Sequence, residues 1–208
     1  MSITQTLQPG TASERAAAHM QALLAPFCEQ IAIVGDVRRR VYTTSKLHLL
    51  VVPTIREKSQ GTLFTLAPGA AGPAPVVREN LLLQNLDRMR ATGDGGLSAH
   101  PKILSDTGNE RAAPWGERER WLHLDFEGVT YRVFVYICER KRWGHMMLIR
   151  TGPEAFGREY VETLRQRHLV AAEGGIRDKR TGELQPCYRE VEAFGFVGWG
   201  YVQPHVRR

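Results

Sequence analysis

The stretch from Glu119 to Tyr136 limits what this chain can fold into more than any other. Glu119-Arg120-Trp121-Leu122-His123-Leu124-Asp125-Phe126-Glu127 alternates, Gly128-Val129 interrupts it, and Thr130-Tyr131-Arg132-Val133-Phe134-Val135-Tyr136 resumes. A period of two on both sides of a short glycine-containing break specifies a β-hairpin. With Gly128-Val129 as a two-residue loop, Glu127 faces Thr130. Asp125 then lies across from Arg132 on one sheet face and forms an ion pair with it, unless the register slips and leaves Asp125 in solvent.

Other elements surround that hairpin. Thr11-Ala12-Ser13-Glu14 has capping-box spacing and opens a helix from Arg15 to Phe27, with Ala16, Met20, Leu23, Leu24 and Phe27 on one face. Gln30 to Val34 reads as a buried strand closed by Gly35-Asp36, and Lys46 to Val52 as a second strand stopped by Pro53. Pro68 to Pro75 is low in complexity and reads as a loop. Val76 to Arg90 has helical spacing and a glycine-rich stop at Gly93 to Gly96. Beyond the hairpin, the expectation is a loop from Arg140 to Gly144, a short strand from Met146 to Arg150 and a helix from Glu154 to Leu169. A strand pair, a helix around Tyr188 to Phe194 and a tail complete an α+β chain.

The 208 residues are 42% apolar and 24% charged, which excludes wholesale disorder and collagen-like or coiled-coil structure. The apolar runs are too short to span a bilayer, so no membrane partner is expected. No basic segment followed by an apolar block opens the sequence, and Cys28, Cys138 and Cys187 form no C-x-x-C pair. Reduced thiols and a cytoplasmic location are the expectation. Lys and Arg outnumber Asp and Glu by 28 to 22, for a formal net charge of +6. The excess gathers at Arg38-Arg39-Arg40, at Arg140-Lys141-Arg142, and at Arg177 with Lys179-Arg180. Any one of these is compatible with a solvated surface. Three on a cationic chain point to a polyanion.

The first two strands and their connection read Ile31-Ala32-Ile33-Val34-Gly35-Asp36-Val37-Arg38-Arg39-Arg40, then five residues, then Lys46-Leu47-His48. This resembles the palm of family X DNA polymerases, the β-type nucleotidyltransferases. Their pattern is a strand, Gly-Ser-x-Arg-Arg on a turn into a helix, and Asp-x-Asp on the next strand. Pro114-Trp115-Gly116-Glu117-Arg118 with the hairpin resembles the strand pair that carries the family's third aspartate. Arg142-Trp143-Gly144, Ile149-Arg150-Thr151-Gly152-Pro153 and Phe156 resemble the junction of palm and thumb. Gly182-Glu183-Leu184-Gln185-Pro186 and Tyr201-Val202-Gln203-Pro204 resemble the thumb, where the family usually has Glu at the place of Gln203. The resemblance implies the minimal form: a tail over 1–12, a nucleotidyltransferase-type palm over 13–148 with a flexible loop near 67–76, and a small α/β thumb over 149–208. The palm it implies is a mixed β-sheet flanked by helices.

The same resemblance locates what is missing. Three aspartates in the family converge on two divalent ions, and those positions fall here on Lys46, His48 and Arg132. Two cations and an imidazole do not assemble hard, oxygen-rich Mg²⁺ sites. The phosphate-binding turn would be Gly35, Asp36, Arg38 and Arg39, with Asp36 in place of the family's Ser. A carboxylate there is expected to cap its own helix and to compete with an anion, while Arg38 and Arg39 remain able to pair with phosphate or with Asp36. No metal or other cofactor is expected.

Three functional readings follow. The first is a catalytically degenerate nucleotidyltransferase-fold protein that binds nucleic acid, DNA before RNA, or a protein partner. Its phosphate contacts would come from Arg40, Arg140, Lys141, Arg142, Arg150, Thr151 and Gly152. Trp143, Trp199 and Tyr201 either stack on bases or fill the core. The second is an active polymerase using other acids, such as Asp125 or Glu127, and only this reading calls for Mg²⁺. The third is a structural subunit or inhibitor of a nucleic-acid enzyme. A transition-metal site from His48, His123 and Asp125 is a minor variant, and no nucleophile triad has a local signature.

Overall fold

The computed structural model describes residues 10–41, 43–59, 76–99, 103–104, 110–111 and 114–208. The stretch Pro68 to Pro75 and most of the tail lie outside these residues. In chain order the elements are α1 (Ala12–Leu24), β1 (Cys28–Val34), α2 (Gly35–Arg38), β2 (Lys46–Pro53), β3 (Ile55–Ser59), β4 (Val76–Asn80), α3 (Leu81–Thr92), β5 (Leu97–Ala99), β6 (Ile103–Leu104) and β7 (Glu110–Arg111). They continue with β8 (Glu119–Phe126), β9 (Val129–Ile137), α4 (Trp143–Thr151), α5 (Glu154–Gln166), β10 (Leu169–Ala172), β11 (Gly175–Asp178), β12 (Leu184–Gln185) and α6 (Glu190–Val197). This is a mixed α+β architecture.

The central sheet has five strands in the order β1-β2-β9-β8-β5. β2 and β9 run parallel, and the other neighbours are antiparallel. Alternation along β2 and β9 divides the sheet into two faces. Leu47, Leu49, Val51, Tyr131, Val133, Val135 and Ile137 point to one face, where α1 contributes Ala16, Ala17, Met20 and Leu24 and α3 contributes Leu82, Leu86 and Met89. Leu50, Val52, Phe134 and Tyr136 point to the other, where Trp143 and Met146 of α4 cover part of it. A third cluster joins Leu148 of α4 to Phe156, Tyr160 and Leu164 of α5 and to Ala193, Phe194 and Val197 of α6. α4 therefore belongs to two cores, and it runs unbroken through residues 148 and 149.

Local chemistry explains the element ends. The Thr11 side chain accepts from the Glu14 N–H at 3.3 Å, and Glu14 accepts from the Thr11 N–H at 2.7 Å, which completes the capping box expected from the sequence. Asn80 caps α3 by accepting from the Leu83 N–H at 3.1 Å, so the helix begins at Leu81. The five residues before it, read from the sequence as helix, are strand. β-Branched Val76 and Val77 pair with β3, and Lys58–Glu79 and Arg78–Glu57 ion pairs at 2.8 and 3.0 Å cross the ribbon.

Two further expectations are corrected. Met146 to Arg150 lies in helix α4, not in a strand. A short apolar run carries no readable period, and α4 is apolar on most sides because it is covered on two sides. The hairpin turn is Glu127-Gly128, with φ of +51° and +76°, and not Gly128-Val129. A two-residue turn with both central φ positive matches the right-handed twist of the strands, and glycine suits its second position. The register moves by two residues, which preserves the faces but changes the partners. His123 stands opposite Arg132, and Asp125 stands opposite Thr130, whose hydroxyl donates to it. The Asp125–Arg132 pair does not form.

Candidate functional site

On the sheet face opposite α1 and α3, an open cleft of about 1160 Å³ lies between the sheet and the helices α4 and α5. Its lining includes Gly35, Asp36, Arg39, Lys46, His48, Arg132, Arg150, Thr151 and Gly152, so widely separated candidates from the sequence meet in one place. Pairing of β2 with β9 builds the floor: Lys46 is abreast of Arg132, and His48 is abreast of Phe134. The His48 ring stacks on Phe134 with centroids 4.6 Å apart and planes 10° from parallel. Its Nδ1 lies 3.1 Å from the Tyr136 hydroxyl. Burial lowers the His48 pKa to about 4 against the opposing charge of Asp36, and Lys46, Arg150 and Arg39 push the same way as burial. His48 is thus a neutral ring in a cationic surrounding.

Gly35 allows this packing. Its φ is +67°, and a Cβ there would lie 2.7 Å from the His48 ring. The neighbouring Asp36 does not cap α2, whose start has no side-chain cap. Its carboxylate is held instead by Arg39 and by the Thr44 hydroxyl, the latter at 2.9 Å. The expected self-capping is therefore replaced by an ion pair. The Arg39 charge lies within reach and competes better than a backbone N–H.

Arg38 is turned away from the cleft. Its two terminal nitrogens donate to Glu190 at 2.8 and 2.7 Å, and one of them also donates to the Thr151 hydroxyl at 2.7 Å. Glu190 accepts as well from Arg207 at 2.8 Å and from the Tyr201 hydroxyl at 3.2 Å. These arginines hold the Glu190 carboxyl below the ordinary carboxylate range against the opposing effect of burial.

Arg140 and Arg142 line a different cleft. Lys141 and Arg142 pair with Glu139, and Arg142 also donates to the Glu173 carbonyl. Arg40 and the Arg177, Lys179 and Arg180 group do not line the first cleft either; Arg177 pairs with Glu173 at 3.0 Å. Trp143 is buried core, and Trp199 packs edge-on against Phe156 and Tyr160. Glu127 pairs with Arg15 at the exposed hairpin tip, away from the cleft, as is Asp125.

Sequence reasoning passed over Arg158 and Arg165, which reach the cleft from α5. A spacing of seven puts both on one face of a helix whose span was readable, so the signal was present. Trp121, Phe134 and Tyr136 were read as strand residues without a role. With Arg158 and Arg165 included, the lining among the described residues holds six cations (Arg39, Lys46, Arg132, Arg150, Arg158 and Arg165) against three carboxylates (Asp36, Glu154 and Glu162).

A pair of divalent ions needs several converging carboxylate oxygens. Neither Arg132 nor Phe134, the two β9 residues abreast of Lys46 and His48, can supply one, and Asp36 is occupied by Arg39 and Thr44. Among the described residues, no group of three or more His, Cys, Asp or Glu side chains could hold a metal ion. The residues present do not fit the two ions. Also among the described residues, no helix is long and apolar enough to cross a membrane. No protein-family model matches the chain, and no curated protein matches it.

Proposed function

We propose that this chain is a nucleotidyltransferase-fold protein of the family X polymerase type whose catalytic centre has lost its metal ligands, and that its cleft binds nucleic acid through phosphate groups. In this reading the five-stranded sheet with α1 and α3 is the palm, and α5 through α6 form the thumb. The observation that carries the reading is the pairing of Lys46 with Arg132 on adjacent parallel strands at the cleft floor. Positive charge stands where transfer chemistry would need carboxylates, and the cationic lining remains suited to a polyanion. DNA is favoured over RNA by the family resemblance alone.

The test pairs two measurements on the full chain. Nucleotide incorporation on gapped DNA is assayed with Mg²⁺ and with Mn²⁺, and DNA binding is titrated at 50 and 200 mM salt. The expected result is no incorporation above background, together with binding that weakens steeply as salt rises. Incorporation that depends on Asp125 or Glu127 would establish an active enzyme instead. Absence of both activity and binding would leave the subunit or inhibitor reading in its place.

A further inference from the structure

Two like charges abreast on neighbouring strands disfavour one another unless an anion lies between them. Lys46 and Arg132 occupy such a rung in the parallel pair of β2 and β9, where strands stand about 4.8 Å apart. Both are exposed to the cleft, and among the described residues neither has a carboxylate within ion-pair distance. Three of the other cleft cations behave differently. Arg39 is engaged by Asp36, Arg158 lies 3.9 Å from Glu154, and Arg165 lies 3.2 Å from Glu162.

A second, independent feature lies at the other end of the same floor. The Arg150 guanidinium covers the Tyr136 ring at 3.9 Å from its centroid, and its buried Nε has no hydrogen-bond partner. Such a group is costly; Arg142 and Arg207 each carry one too, but of the three arginines only Arg150 lines this cleft. Tyr136 follows Arg132 by four residues along β9, roughly 13 Å at about 3.3 Å per residue. A doubly charged group over Lys46 and Arg132 and a singly charged group toward Arg150 would match this order of charge along the floor. A phosphodiester carries one negative charge. A phosphomonoester carries nearly two at neutral pH, concentrated on one set of oxygens.

We propose that Lys46 and Arg132 form a metal-independent site for a phosphomonoester carried on the end of a nucleic-acid strand, with Arg150 receiving a phosphodiester further along. This rests on the nucleic-acid reading above and sharpens it: the cleft takes strand ends that bear phosphate. The two cations take the charge-neutralising part that a divalent ion would otherwise play.

Binding is measured with the full chain in EDTA and with one oligonucleotide in three forms: 5′-phosphorylated, 3′-phosphorylated and hydroxyl-ended. At least one phosphorylated form is expected to bind tenfold or more tightly than the hydroxyl-ended form. Lys46→Gln and Arg132→Gln should each remove most of that advantage. Both side chains are exposed, so neither change threatens the fold, and Lys141→Gln, outside the cleft, should preserve the advantage. Equal affinity for all three ends overturns the inference and leaves nucleic-acid binding standing. An advantage that appears only with Mg²⁺ overturns it too. Competition by a mononucleotide at concentrations equal to the phosphorylated oligonucleotide would transfer the site to free nucleotides and overturn the strand-end assignment. Failure of every oligonucleotide to bind removes the underlying reading itself.

Discussion

Arg38 and Glu190 share two hydrogen bonds, at 2.8 and 2.7 Å, across 152 residues of sequence. The pair fastens α2, beside the cleft floor, to α6. Arg207 closes it from the far side: its side chain is fully buried, lies near the Phe156 and Phe194 rings and donates to the same carboxylate. Arg38, a phosphate-contact candidate in the sequence, thus serves the fold.

Removing the shared carboxylate should therefore cost more than a surface ion pair would. Glu190→Ala leaves two arginines without their buried partner, and the expected loss is about 3–5 kcal/mol, read from urea unfolding followed by far-UV circular dichroism. A loss under 1 kcal/mol would show that water replaces the carboxylate freely.

Two glycines in helices offer an opposed pair. A Cβ on Gly144 would lie 2.2 Å from the Arg189 carbonyl, backbone against backbone, and no rotamer change relieves that. Gly195 in α6 has open space around it. Gly144→Ala should lower stability by about 1–3 kcal/mol, whereas Gly195→Ala should raise it by up to about 1 kcal/mol. Paired thermal melts decide this, since the two variants must shift Tm in opposite directions.

His48 and His145 are both driven by burial to a pKa of about 4. The unfolded chain takes up protons on these rings near the ordinary 6.5, before the folded chain does. Stability is then complete above about pH 6.5 and falls as pH drops toward 4, because the unfolded state binds more protons in that window. Each ring contributes a slope of at most about 1.4 kcal/mol per pH unit. Between pH 6.5 and 5, above most of the carboxylate range, His48→Phe should make the dependence visibly shallower. An unchanged slope would mean that His48 titrates normally in the folded protein.

The salt dependence of binding should sort the arginines and lysines. Lys46→Ala and Arg132→Ala are each expected to reduce the slope of log K against log salt by about 1. Lys141→Ala should alter it little, because Lys141 already pairs with Glu139 at 2.8 Å outside the cleft. Equal effects from all three would spread binding over the whole surface.

What the sequence alone determined was local or periodic. The hairpin followed from its period of two, α1 from Thr11 and Glu14 at capping-box spacing, and the lack of a carboxylate at Lys46, His48 and Arg132 from residue identity. Contacts between distant segments decided the rest. The turn settled on Glu127-Gly128 because two positive φ values fit strand twist there, and this moved His123, in place of Asp125, opposite Arg132. Met146 to Arg150 became helix because two cores needed its sides. Arg38 left the cleft for a carboxylate far along the chain, and Arg39 drew Asp36 away from the helix end. Such choices depend on which charges and apolar faces meet in space, and a one-dimensional pattern does not contain those distances.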